Sequence, residues 1–146
     1  MKKIEDLWSQ VYNDDRSKKI LEKLKKFVKE TKNDQNKNEN KIEQDWYKSA
    51  VIYSLYVDLY AGDFKGLKER LSYLQNLGVN TLWLLPILSS PMNDQGFDIS
   101  NYYKVREDLG SNEDFFEFIE EAHKKGIKVL FDMALNHTSD QHKWFL

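Results

Sequence analysis

Asp132, Asn136 and His137 close the run Gly126-Ile127-Lys128-Val129-Leu130-Phe131-Asp132-Met133-Ala134-Leu135-Asn136-His137. Their types suit chemistry: a carboxylate accepts hydrogen bonds, an amide donates and accepts, and an imidazole exchanges its proton near neutral pH. In an extended chain successive side chains alternate, so Asp132, Ala134 and Asn136 share one face and His137 sits at the exit. The carboxyl end of a parallel strand is where α/β proteins place their binding groups. The same cluster serves equally as a buried Asp that ties down the next loop beside a bystander histidine. Taken alone, it does not choose between them.

The elements that must hold this cluster follow a strand, helix, strand, helix, strand order. Residues 51–60 are rich in Val, Ile, Tyr and Leu on both faces and read as a buried strand. Phe64 to Leu77 reads as a helix with Leu67, Leu71, Leu74 and Leu77 facing inward and Gly78 as its stop. Residues 79–85 read as a second buried strand ended by Pro86. Ser111-Asn112-Glu113-Asp114 resembles a capping box and opens a helix that places Phe115, Phe118, Ile119 and Ala122 on one side and stops at Gly126. Alternating strands and amphipathic helices indicate a parallel sheet in an α/β fold. Between the second strand and the second helix, residues 87–110 show no strong period, whereas βα loops usually run about 2–6 residues. A loop of that length leaving the same rim as Asn136 and His137 marks the rim as a binding site.

Residues 1–32 read as a helical region. Ile4, Leu7, Trp8, Val11 and Tyr12 share one helical face, and Ile20, Leu21, Leu24, Phe27 and Val28 share another. Asn13-Asp14-Asp15 breaks the two, with Asp15 or Ser17 expected to cap the second helix. The pair forms a helical hairpin whose apolar stripe must be buried against something else. Its lysines read as a solvated face, because no aromatic residues interleave as a nucleic-acid stacking platform requires. Residues 33–45 form a polar linker, with Ile42 as the one apolar side chain between Thr31 and Gln44.

The totals narrow the class. The chain has 146 residues and a net charge of −2, without the bias that draws a protein to nucleic acid or a membrane surface. It has no cysteine, which excludes disulfide and thiolate chemistry. No apolar run approaches the roughly 20 residues that span a bilayer, and Met1 to Asp6 does not lead into a secretory core. A soluble, cytoplasmic protein is expected.

The order of motifs resembles the α-amylase superfamily of retaining α-glycosidases and transglucosidases. The segments that carry it are Leu77-Gly78-Val79 to Pro86, Asp94-Gln95-Gly96-Phe97-Asp98 and Asp132 to His137, over about residues 50–146. The resemblance implies an incomplete TIM (β/α)8 barrel, with its first three strands and two helices in residues 46–146. A whole barrel takes about 250 residues. His137 matches the histidine that hydrogen-bonds the glucose at the cleavage site. Phe97 matches the aromatic platform beneath that sugar, and Asp94 an acid that pairs with a later arginine in exo-acting members. Asp98 and Asp132 match supporting acids. Asn136 matches a calcium ligand of many α-amylases, though smaller glucosidases keep this Asn without the ion; no cofactor is expected. Read from the residues alone, Phe97 also suits a core plug and Asp98 a simple turn. A zinc site on His137 and His142 is not expected, since their separation fits no familiar ligand spacing.

Tyr56-Val57-Asp58 and Val105-Arg106-Glu107-Asp108-Leu109-Gly110 look like the amylosucrase and sucrose-hydrolase branch. Asn136-His137-Thr138-Ser139-Asp140 through Trp144-Phe145 is shared with oligo-α-glucosidases and trehalose-forming isomerases. The implied substrate is an α-glucoside or a sucrose-type sugar. The family's nucleophile, acid and third carboxylate follow its fourth, fifth and seventh strands, none of which this sequence matches. The chain alone is therefore expected to be inactive, and its open sheet to need the missing barrel half or self-association. A remnant without activity and a non-catalytic sugar-binding or scaffold member of the same fold are the competing readings.

Overall fold

The computed structural model describes residues 2–12, 14–35 and 45–146, and the chain divides into two compact units, Met1–Gln44 and Asp45–Leu146. In the first unit, α1 (Lys2–Val11) and α2 (Asp15–Gln35) are the expected hairpin. Lys25 Nζ joins them, 2.9 Å from Glu5 of α1 and 2.8 Å from Glu22 of its own helix. The cap of α2 is neither Asp15 nor Ser17 but Asp14, whose Oδ1 accepts the Ser17 N–H at 2.8 Å. An N-cap acceptor must precede the first turn to reach the N–H three residues on, and only Asp14 does. Helix α2 also outruns the expected boundary at residue 32, taking in 33–35 of the expected linker; residues 36–44 of that linker lie outside the described residues.

The second unit begins with a 3-10 turn, Trp46–Ser49, and then β1 (Ile52–Leu55). The strand expected over residues 51–60 ends there, because Val57–Ala61 forms a short helix, α3. Gly62 closes it at φ +85°, a conformation that L side chains resist. Helix α4 (Phe64–Asn76) starts on Asp63, whose carboxylate accepts the Gly66 N–H at 2.7 Å. Leu67, Leu71 and Leu74 are fully buried, but Leu77 is 56 % exposed. As the C-terminal flanking residue it has left the helical stripe. Strand β2 (Thr81–Leu84) follows.

The long connection, which has no strong period in sequence, is not an irregular loop throughout. It folds back on itself as a small antiparallel pair, β3 (Leu88–Ser89) and β4 (Asn101–Val105), and ends in a 3-10 turn at Glu107–Leu109. Ser111 then opens α5 (Asn112–Lys124) with a complete capping box: its hydroxyl accepts the Asp114 N–H, and Asp114 accepts the Ser111 N–H. Although one methylene shorter than Glu, Asp114 still reaches back to the Ser111 N–H at 2.9 Å. Strand β5 (Lys128–Phe131) completes the main sheet.

That sheet is parallel, in the order β1-β2-β5, with Ile52 opposite Thr81 and Thr81 opposite Lys128. Alternation along this register separates two faces. Leu55, Leu82 and Leu84 belong to the core with Phe64, Leu67 and Leu71 of α4 and Phe118 and Ala122 of α5. Ile52, Trp83 and Leu130 lie on the other face; they are among the exposed large apolar residues, Trp83 at 41 %. In a closed (β/α)8 barrel the first face meets the helices and the second fills the lumen. Among the described residues the outer edge of β5 has no partner strand.

Candidate functional site

Strand β5 stops one residue before the polar cluster, so Asp132, Ala134 and Asn136 do not share a strand face as alternation predicts. Asp132 still belongs to the ladder by its N–H, which donates to Leu84 O at 3.0 Å. Beyond it the chain leaves the sheet and is held by the long loop after β2. Ser139 N–H donates to Ile99 O at 3.0 Å. The Tyr102 hydroxyl faces two carbonyls of the same segment, Ala134 O at 2.7 Å and His137 O at 2.8 Å.

Both ring nitrogens of His137 are engaged. Nδ1 lies 2.8 Å from Asn136 Nδ2, and Nε2 lies 3.2 Å from Phe97 O. An amide nitrogen can only donate and a carbonyl oxygen can only accept. The two contacts therefore select one neutral tautomer, protonated at Nε2. The structure thus brings together Phe97, Asn136 and His137 across two loops.

Phe97 itself is half-buried and stands outside the apolar core cluster, which sets aside its reading as a core plug. It ends a turn in which its N–H donates to Asp94 O at 2.9 Å. Both central residues of that turn have positive φ, Gln95 at 53° and Gly96 at 95°. Gly96 also packs against Pro86, where a Cβ would stand 2.8 Å from the proline Cβ. Glycine is required twice over, for its backbone angle and for close approach. Asp94 is exposed on this turn. The Tyr56 hydroxyl donates to Gln95 Oε1 at 3.3 Å, bringing the loop after β1 to the same turn.

Asp98 does more than occupy a turn. Its Oδ1 accepts from the Ser90 hydroxyl at 2.5 Å and its Oδ2 from the Asn93 N–H at 3.0 Å, closing the base of the 90–98 loop. Burial pushes its carboxyl up, but the Ser90 hydroxyl and the backbone N–H donors outweigh it and hold the group below its ordinary value. The sign follows from linkage: a depressed carboxylate contributes stability above its unfolded pKa of about 3.9 and loses it as pH falls through the folded value. Asp98→Asn is therefore expected to lower the melting temperature at pH 7 and to lower it by less near pH 3. Paired thermal melts at the two pH values check this; an equal deficit at both would assign the loss to packing.

Sequence reasoning noted Arg106, Asp58 and Asp108 only as motif letters. The structure joins them. Arg106 is 4 % exposed, its Nη2 lies 3.0 Å from Asp108 Oδ2 and 3.3 Å from Asp58 Oδ2, and its Nη1 lies 2.8 Å from Met92 Sδ. It ties α3, the 90–98 loop and the 3-10 turn together beside a cavity of about 470 Å³ that Ser89, Ser90 and Gln141 also line. The readable signal was the Val105-Arg106-Glu107-Asp108 run itself, an arginine with an Asp two residues on. Tyr102 was missed altogether, because one tyrosine in an aperiodic loop carries no positional signal.

Among the described residues no three His, Asp or Glu side chains gather as a cation site. Among the described residues no helix is long and apolar enough to cross a membrane.

Three parallel strands, helices on one face and polar loops at the strand ends define the N-terminal part of a (β/α)8 barrel. The profile of the alpha amylase catalytic domain matches residues 24–146, and the chain belongs to the α-amylase family. Trehalose synthase of Thermus thermophilus is 50 % identical over 107 residues, 68 % of this chain and 11 % of that protein. Oligo-1,6-glucosidase of Bacillus sp. (strain F5) is 40 % identical over 107 residues, again 68 % of this chain and 21 % of the relative. The crystal structure of Bacillus licheniformis trehalose-6-phosphate hydrolase superposes with a TM-score of 0.65 at 46 % identity, over 68 % of this chain and 19 % of that one. The chain thus spans about a fifth or less of the length of the proteins it matches.

Proposed function

We propose that residues 46–146 form the sugar-binding front of an enzyme that hydrolyses or transfers α-linked glucose with retention. The observation that carries this reading is the link across the rim, from Asn136 through the His137 ring to Phe97 O. It supports the reading by tying the imidazole to the loop that carries an aromatic side chain, the two kinds of group a sugar needs for a hydrogen bond and a stacking face. In this reading His137 bonds a glucose hydroxyl by exchanging its contact with Phe97 O, and Phe97 stacks on the sugar. Asp94, exposed beside them, meets a cation supplied from outside this chain. Asp98 and Asp132 orient loop and strand. No cofactor enters.

Retention requires two carboxyl groups roughly 5–5.5 Å apart, one attacking C1 and one protonating the leaving oxygen. Asp98 cannot take either part, since both its oxygens are engaged by Ser90 and Asn93. The partner the open edge calls for is the rest of the barrel or a second copy of the chain.

The test uses the 146-residue chain with two sugars. Methyl α-D-glucoside is expected to perturb the amide resonances of residues 94–98 and 136–138, while 4-nitrophenyl α-D-glucoside releases no nitrophenol above a blank. Absence of any perturbation at millimolar sugar would sink the binding assignment. Measurable turnover would show that catalytic carboxylates are present after all.

A further inference from the structure

We propose that Tyr102 is a positioning residue that sets the orientation and tautomer of His137; the consequence for sugar affinity rests on the reading of His137 given above. The segment from Met133 to Ser139 has left the sheet after the last ladder bond, from Asp132 N–H to Leu84 O, so no ladder hydrogen bond fixes its carbonyls. The Tyr102 hydroxyl takes over that task. Its single proton lies between Ala134 O and His137 O, at 2.7 and 2.8 Å. These two carbonyls bracket Leu135 and Asn136, so one side chain fixes both ends of the segment that presents the Asn136 amide to His137 Nδ1.

The ring of Tyr102 is itself held. It stacks on Trp144 with centroids 5.7 Å apart and an interplanar angle of 24°, and meets the buried His142 edge-on at 5.5 Å. The hydroxyl is therefore delivered from a fixed platform on β4, and ring placement does not depend on the hydroxyl. This separation makes Tyr102→Phe a narrow change: it removes the donor to both carbonyls and leaves the stacked ring. The carbonyl of His137, once released, no longer fixes the peptide plane from which the ring reaches Phe97 O. Since Nε2–H donation to Phe97 O and Nδ1 acceptance from Asn136 together select the tautomer, loosening either geometry mixes the two forms.

The experiment records the imidazole nitrogen resonances of His137 in the uniformly 15N-labelled chain, without sugar. In the parent, Nε2 is expected at a protonated position and Nδ1 at an unprotonated one. In Tyr102→Phe the two are expected to move toward a common average, while the amide spectrum of the β1-β2-β5 sheet is unchanged. Methyl α-D-glucoside affinity is then expected to fall on the order of tenfold, the equivalent of losing one well-placed hydrogen bond. Nitrogen resonances identical in parent and variant overturn the proposal. If the parent binds no glucoside, the sugar reading fails and the nitrogen experiment still decides the role of Tyr102. Should the variant not fold, the parent answers by itself: a Tyr102 hydroxyl proton that exchanges slowly and shows a cross-peak to His137 Hα supports the proposal, and one lost to fast exchange overturns it.

Discussion

Phe64→Ala is expected to destabilise the barrel unit by about 3–5 kcal/mol, the usual loss for a fully buried phenylalanine. Phe64 is the first residue of α4 and is completely enclosed. Its ring lies 5.2 Å from that of Phe115 and 5.9 Å from that of Phe118, both on α5, so it helps to join the two helices in one core. Truncation leaves a cavity at the helix–helix seam as well as losing transfer energy. For a unit of this size the melting midpoint should fall by roughly 15 °C or more. Chemical denaturation of the parent and variant measures it. Phe64→Leu, which refills most of the volume, should lose less than half as much; equal losses for both would mean that ring–ring geometry matters more than volume.

Arg106→Met is expected to be the second largest effect and to act on the rim. Removing one member of a buried ion pair typically costs 3–5 kcal/mol, because a charge is left unpaired. Here the guanidinium is buried but Asp58 and Asp108 retain 36 % and 59 % of their exposure. Water can therefore recover part of the loss, and about 1–3 kcal/mol is the proper range. The Arg106 Nε and Asp58 Oδ1 already lack partners, so the cluster is a clamp and not an optimised stabiliser. Its loss should show most in hydrogen exchange of residues 92–98, which hang from the clamp through Met92. Adding Asp58→Asn to the variant should recover part of the stability by removing the stranded charge. If the double variant is less stable still, the loss is one of packing.

These two positions also show where the sequence was sufficient. Helix α4 was readable to its last turn, since Leu67, Leu71 and Leu74 fix its face by spacing alone and Gly78 supplies the stop. The capping box of α5 was readable because it is a contact between residues three apart. The parallel order followed from the alternation of strands and helices. The motif letters at Asp94, Phe97, Asp98, Asn136 and His137 point to the family by type and order alone. Local chemistry and period carry all of this.

Other features depended on contacts that no spacing encodes. Residues 51–60 are apolar enough for one long strand, but the ladder with β2 ends at Leu55 and the chain beyond it turns into α3. The 87–110 connection shows no period because β3 and β4 are short and pair with each other across a dozen residues, apart from the main sheet. Polar strand-end residues were expected to share a face, yet β5 stops at Phe131. Their placement is set instead by Tyr102 and Ile99 on another loop. Residue types and order determined which family this chain joins and which side chains were candidates for its site. Only the tertiary structure decided how they meet, because hydrogen bonds between loops distant in sequence, and not local preference, fix the direction of His137.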